Sequence, residues 1–154
     1  MDSQSASIEF EIPEHDWEVA SGSAKPTFLK AGDFPNFRPN IVIDNAELQP
    51  STSLADIADF FVEQLRPSSR DIDVVTRDES QTGNVAGLFQ AVTFKIKVDD
   101  QILELVQLTS FFEIRAEDSD RRWAHWVVMT SLSKDAPALA SDYEEIASSI
   151  RFDR

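Results

Sequence analysis

Between Asp71 and Leu132 apolar and polar positions alternate with the period of two of half-buried strands, and turn residues divide the stretch into four consecutive antiparallel strands. The clearest hairpin sets Val92, Phe94, Ile96 and Val98 against Thr93, Lys95 and Lys97, with Asp99-Asp100 as its two-residue turn. That turn pairs Val98 with Gln101, Ile96 with Leu103 and Phe94 with Leu105, so one face is continuously apolar. On the other face Lys95 meets Glu104, a cross-strand pair of about 0.2–1 kcal/mol. A slip of one residue would bury the lysines, which fixes the register. Further along, both faces turn apolar. Leu103 and Leu105 point one way and Ile102, Val106, Leu108, Phe112 and Ile114 the other, then Trp123, Val127 and Met129 oppose Trp126, Val128 and Leu132. A sheet apolar on both sides needs cover on both sides, so one helix is expected on each face.

The flanking segments supply those helices. Ile8, Phe10 and Ile12 alternate with Glu9 and Glu11 in a first strand that Pro13 ends, after a disordered leader over 1–6. A short segment around Trp17 and Val19, a turn at Ser21-Gly22-Ser23 and a short strand at Pro26–Leu29 follow. Pro35 and Pro39 keep residues 34–39 irregular, and Asn40–Ile43 reads as a buried strand running on towards Leu48. Ser53 and Asp56 form a capping box ahead of an apolar helical stripe, Leu54, Ile57, Ala58, Phe61 and Leu65, which Pro67 stops. After the sheet, Asp135 is expected to cap a second helix with Pro137 in its first turn. Leu139, Tyr143, Ile146 and Ile150 form its stripe, Asp142, Glu144 and Glu145 face water, and the ending Ile150-Arg151-Phe152 packs back. The pattern predicts one α+β domain over 7–154, an antiparallel β-sheet with a four-strand meander sandwiched between helices.

Composition narrows the function classes. At 154 residues with 42% hydrophobic content and 11 Phe, the chain has enough apolar side chains for a sizeable core. Its net charge of −14, from 28 acidic and 14 basic residues, repels phosphate backbones and anionic lipid, so neither nucleic acid nor membrane insertion is expected. No run approaches the roughly 18 apolar residues of a membrane span. Without cysteine there is no disulfide, thiolate catalysis or cysteine-ligated metal. Met1–Ser5 lacks a secretory signal, so the chain as written is expected in the cytoplasm unless a leader has been removed.

The search for chemistry finds little. His15 and His125 are too far apart for metal-ligand spacing. His125, on a strand face opposite Trp126, is more readily a structural histidine than a general base. Asp71/Asp73, Asp99/Asp100 and Glu117–Asp120 read as turn and loop acids rather than a calcium loop. With 4 glycines and no Gly-x-Ser-x-Gly, no phosphate loop or nucleophile elbow is available. Hence no catalytic residue, metal or cofactor is expected. The loop bearing Phe34, Phe37 and Arg38 is the candidate recognition element, its alternative role being to fold both rings inward as a plug. Trp123 and Trp126 lie on opposite faces by parity and read as core.

At Pro39-Asn40-Ile41-Val42-Ile43, following Trp17, the chain resembles the actinobacterial LpqN/LpqT lipoproteins and, through them, the DcrB and PsbP-like group. The likeness covers 8–153 and includes the helix from Leu54, the meander and the ending Ile146-Ala147-Ser148-Ser149-Ile150. It implies an antiparallel sheet sandwiched by helices and no shared catalytic residues, in a group whose better-known members are accessory, chaperone or binding proteins. The lipoproteins carry a signal and an acylated cysteine that this chain lacks; the resemblance implies the cell envelope only if a leader was removed. The expectation is a non-catalytic protein-binding or accessory module, monomer or dimer, with an unidentified protein partner. The alternatives are a small-molecule or lipid carrier with a pocket lined by Phe61, Trp126 and Tyr143, and an enzyme built on His125.

Overall fold

The structure, a computed structural model, describes residues 8–13, 16–22, 25–117 and 119–152. The expected leader, His15, Ser23 of the predicted turn and Asp118 of the acidic loop lie outside the described residues. Among the described residues nine strands and two α-helices follow in the order β1 (Ile8–Glu9), β2 (Trp17–Val19), β3 (Thr27–Lys30), β4 (Asn40–Leu48), α1 (Leu54–Leu65), β5 (Arg70–Thr82), β6 (Val85–Val98), β7 (Gln101–Arg115), β8 (Arg122–Leu132), α2 (Ala136–Ser148) and β9 (Arg151–Phe152). Seven of the strands form one antiparallel sheet in the order β2-β3-β4-β8-β7-β6-β5. The predicted meander is β5–β8, and the β6–β7 pairs are those expected, Lys95 with Glu104 included. Asp99 (φ 49°) and Asp100 (φ 64°) both adopt the left-handed conformation that a type I′ hairpin turn requires.

Parity then assigns the faces. Phe61 of α1 meets Phe111 and Trp126 edge-on, with ring centroids 5.0 and 5.3 Å apart. Leu88, Ala124 and Leu48 close the same cluster, and Val92, Phe94, Leu103, Leu105 and Leu132 continue it under Val62 and Leu65. On the opposite face Val127 and Met129 pack with Ile41, Ile43 and Trp17 under Leu139, Tyr143 and Ile146 of α2. The sheet is therefore sandwiched as expected, a helix to each side.

Five local expectations change. The first strand is only Ile8–Glu9, and it pairs with β9 outside the main sheet. Beyond it the Glu11 amide donates to Ser149 Oγ at 2.7 Å, so Phe10 and Ile12 pack on the core without a strand partner. The buried line of α1 is Leu54, Ala58 and Val62, and Val62 was not in the predicted stripe. Asp135 does stand at the N-cap of α2, but with helical φ and ψ of −91° and −16° its side chain makes no capping bond. Asp142 does not face water: its Oδ2 accepts from Trp17 Nε1 and Lys30 Nζ, each at 3.1 Å. Asp71 and Asp73 lie in the edge strand β5, whose two register shifts and charged residues discourage pairing with another edge.

Candidate functional site

The two faces are not closed equally. A seven-strand sheet is about 30 Å wide at roughly 4.8 Å per strand, whereas a helix with side chains spans about 10–12 Å. On its side α1 is extended by a polar clasp: Arg77 of β5 donates from Nη1 to Asp59 at 2.7 Å and from Nε to Gln90 Oε1 at 2.8 Å. The fully buried Gln90 amide in turn donates to the Ala58 carbonyl at 3.3 Å, so the outer edge of α1 is fastened down to β5 and β6. α2 is held differently: Asp142 ties it to Trp17 and Lys30 on its inner side, and the Tyr143 hydroxyl bonds to Ser110 of β7.

The consequence is a groove between α2 and the β5–β7 half of the sheet. Phe89 of β6 and Leu108 and Phe112 of β7 form its floor. Ala140, Tyr143, Glu144, Ala147 and Ser148, all on one flank of α2, form its wall around a volume of about 520 Å³. Small alanines on that wall leave the floor open. Tyr143 stands against Phe89, with ring centroids 6.0 Å apart, and its hydroxyl shares a short hydrogen bond with Ser110. Burial pushes the phenol pKa above its usual value, although the Ser110 bond acts the other way, so the ring is a neutral, apolar element of the site. A second hollow of about 370 Å³ shares Phe112, Ala147 and Ser148 with the first and adds Ser80, Thr82, Val85, Gly87 and Ile150. At Gly87 a Cβ would stand 2.7 Å from Ser80 Oγ, so the bare backbone lets β5 lie close across this end.

Of the residues singled out from the sequence, Tyr143 lines the groove and His125 is paired in register with Phe112 of its floor, while the others fall elsewhere. Phe37 packs, partly buried, against the Val62 and Leu105 cluster on the α1 face. Arg38 donates from Nε to the Lys30 carbonyl at 2.7 Å and from Nη2 to Glu18 at 2.9 Å. Phe34 is half-buried beside Gly32, in a small hollow with Leu132 and Lys134. None of the three lines the groove. His125 is 2% exposed within the sheet. Trp123 is buried with Arg121 stacked 4.7 Å over its ring, and Arg121 holds Glu47 in two hydrogen bonds that lower the Glu47 pKa. The pocket expected from Phe61, Trp126 and Tyr143 does not exist as drawn, because Phe61 and Trp126 are on the α1 face and Tyr143 is on the other. Among the described residues no group of acids and histidines is arranged to hold a metal ion, and no helix is long and apolar enough to cross a membrane. The groove itself went unnoticed in the sequence. Its one signal is the narrow stripe of α2, whose flank carries Ala140 and Ala147 where a covering helix would carry large residues.

Neither a family model nor a curated protein matches the sequence. Solved structures do match the fold. LpqN of Mycobacterium tuberculosis, described as involved in cell envelope biogenesis, superposes with a TM-score of 0.71 at 13% identity, over 99% of this chain and 87% of that one. The Ran-binding protein Mog1p of Saccharomyces cerevisiae gives 0.57 at 13% identity over 96% of both chains. The cyanobacterial PsbP of Synechocystis gives 0.56 at 12% identity over 96% of this chain and 93% of that one. The chain is thus similar to structures of the PsbP/Mog1-like fold group, a likeness of fold.

Proposed function

We propose that this chain is a non-catalytic binding or accessory module of the LpqN/PsbP-like type, which holds part of another protein in the groove between α2 and the outer meander. The observation that carries the reading is the unequal closure of the sheet: α1 and its clasp cover the apolar part of one face, where the remaining hollow of about 460 Å³ is lined by polar residues such as Glu113 and Arg122, while the other face leaves Phe89, Leu108 and Phe112 under an open channel. Partly exposed aromatic and aliphatic side chains grouped in a concavity are the usual anchors of a protein contact. Among fold neighbours, Mog1p is described as Ran-binding, which supports a protein partner for this architecture. His125, opposite Phe112 in register, is 2% exposed and presents no side-chain surface to a partner in the groove.

A carrier of a small apolar molecule or lipid is the second reading, favoured by the volume of about 520 Å³, within the ordinary range of ligand pockets. The Phe34, Phe37 and Arg38 loop is the competing protein-binding surface. Affinity capture from native extract separates the three when native protein is run beside Ala140→Phe, which fills the groove, and Phe37→Ala/Arg38→Ala. A partner kept by the loop variant and lost by Ala140→Phe is the expected result. Loss from the loop variant alone would move recognition to residues 34–38. A small molecule released on denaturation, with no protein retained, would establish the carrier.

A further inference from the structure

We infer that the groove is built for a basic segment of a partner protein, one whose apolar anchors are flanked by Lys or Arg; this rests on the protein-binding reading above. The floor is apolar, and its charged flanks are of a single sign. Glu144 belongs to the helix wall, and Asp78, exposed on the edge strand, is directly opposite Phe89 in register and so shares its face. No described residue lining either hollow is Lys or Arg. Farther along β6 Lys95 pairs with Asp71 at 3.4 Å, and beyond Ile150 of the second hollow Arg151 stands 3.9 Å from Glu11. A chain of net charge −14 adds a long-range field of the same sign.

Each class of occupant meets this differently. A carboxylate or phosphate held over Phe89 stands between two acids and is repelled, as is the surface of an anionic membrane. A neutral apolar ligand gains from the floor but draws nothing from the rim. A peptide that places Leu or Phe against Phe89 and Phe112, with Lys or Arg beside Glu144 and Asp78, gains from both. The second hollow shares a wall with the first, which offers a second anchor site farther along the same segment. There the hydroxyl side chains of Ser80, Thr82 and Ser148 can meet main-chain amides and carbonyls.

Fluorescence anisotropy with three labelled synthetic peptides tests this on the full chain. One interleaves Leu and Lys, the second has every Lys replaced by Glu, and the third has every Leu replaced by Ser. The Leu/Lys peptide is expected to bind about tenfold or more tighter than either control, to weaken as salt is raised, and to be lost with Ala140→Phe. Glu144→Lys with Asp78→Lys should reverse the preference, so that the Leu/Glu peptide binds better than the Leu/Lys one. Thermal unfolding of each variant confirms that it is folded. Equal binding of the Leu/Glu peptide to native protein overturns the inference, as does equal binding of the Ser/Lys peptide, which would reduce it to net charge. Indifference to Ala140→Phe overturns it too, by placing the peptide elsewhere. If capture maps a natural partner to the groove while the peptides show no charge preference, the protein-binding reading stands and the basic occupant falls.

Discussion

The carboxylate of Asp142 receives a tryptophan N–H and an ammonium group, each at 3.1 Å, and the Lys30 ammonium also stands 5.4 Å from the centre of the Trp17 ring. The side chains of the Lys30–Asp142 pair are less than a fifth exposed, so water cannot replace what a deletion removes. Asp142→Ala should therefore destabilise the protein by about 1–3 kcal/mol in urea unfolding, and less when Lys30→Met is already present. A change within about 0.5 kcal/mol would reduce the contact to a surface ion pair. Tyr143 makes a different prediction. It is the single tyrosine of the chain, and burial raises its pKa above the usual value of about 10. A raised native pKa means the unfolded state loses the proton first. The contribution of Tyr143 is then complete below about pH 10 and declines above it, by up to about 1.4 kcal/mol per pH unit. Comparison with Tyr143→Phe isolates this slope from that of the lysines. Tyrosinate absorbance rising near pH 10 in protein that is still folded would refute it. Neither contact was legible in the sequence. Asp142 sits in an acidic run that reads as solvated, and its partners come from 112 and 125 residues away.

Local elements were legible to the extent that their signals are themselves local. The β6–β7 register follows from alternation and a two-residue turn, and the chain adopts it pair by pair. The capping box at Ser53 closes in both directions, the Asp56 amide donating to Ser53 Oγ at 3.1 Å and the Ser53 amide to the Asp56 carboxylate at 2.9 Å. Asp135 looks equivalent in sequence, yet its helical backbone turns the side chain away from the amides it would cap, with Pro137 taking one donor out of the first turn. Thermal or urea unfolding should show the difference: Ser53→Ala is expected to cost about 1 kcal/mol, and Asp135→Ala less than about 0.5 kcal/mol. Equal losses would mean that Asp135 caps in solution. The first strand fails for the opposite reason. Its alternation is clear, but a strand needs a partner, and β9 offers only Arg151 and Phe152. In α1 the fully buried line is Leu54, Ala58 and Val62, and the predicted Ile57, Phe61 and Leu65 flank it, only partly buried, because the wide sheet takes in more of the helix than one narrow stripe.

For the molecule as a whole, a helix for each face followed from the apolar character of both sheet sides, but not how much of each face the helix would cover. That depends on where α2 crosses the sheet: it lies over Val127 and Met129 of β8, tied to β2 and β3 by Asp142 and to β7 by Tyr143. The adjacent residues Phe111 and Phe112 expose the asymmetry, since parity sends one to each face. Phe111 is fully buried, enclosed by Phe61, Trp126 and Leu88 beneath α1. Phe112 forms part of the groove floor and is only half-buried. Truncating a ring in a sealed core removes its transfer free energy and leaves a cavity, so Phe111→Ala should cost about 3–5 kcal/mol. At Phe112 the space left is continuous with solvent and no closed cavity forms, so the loss should stay near 1–2 kcal/mol. Binding should invert the order: Phe112→Ala keeps the fold and gives up the partner, whereas protein that survives Phe111→Ala retains the groove. If the two substitutions destabilised equally, the α2 face would be as closed as the α1 face, and the functional reading built on its openness would fall with it.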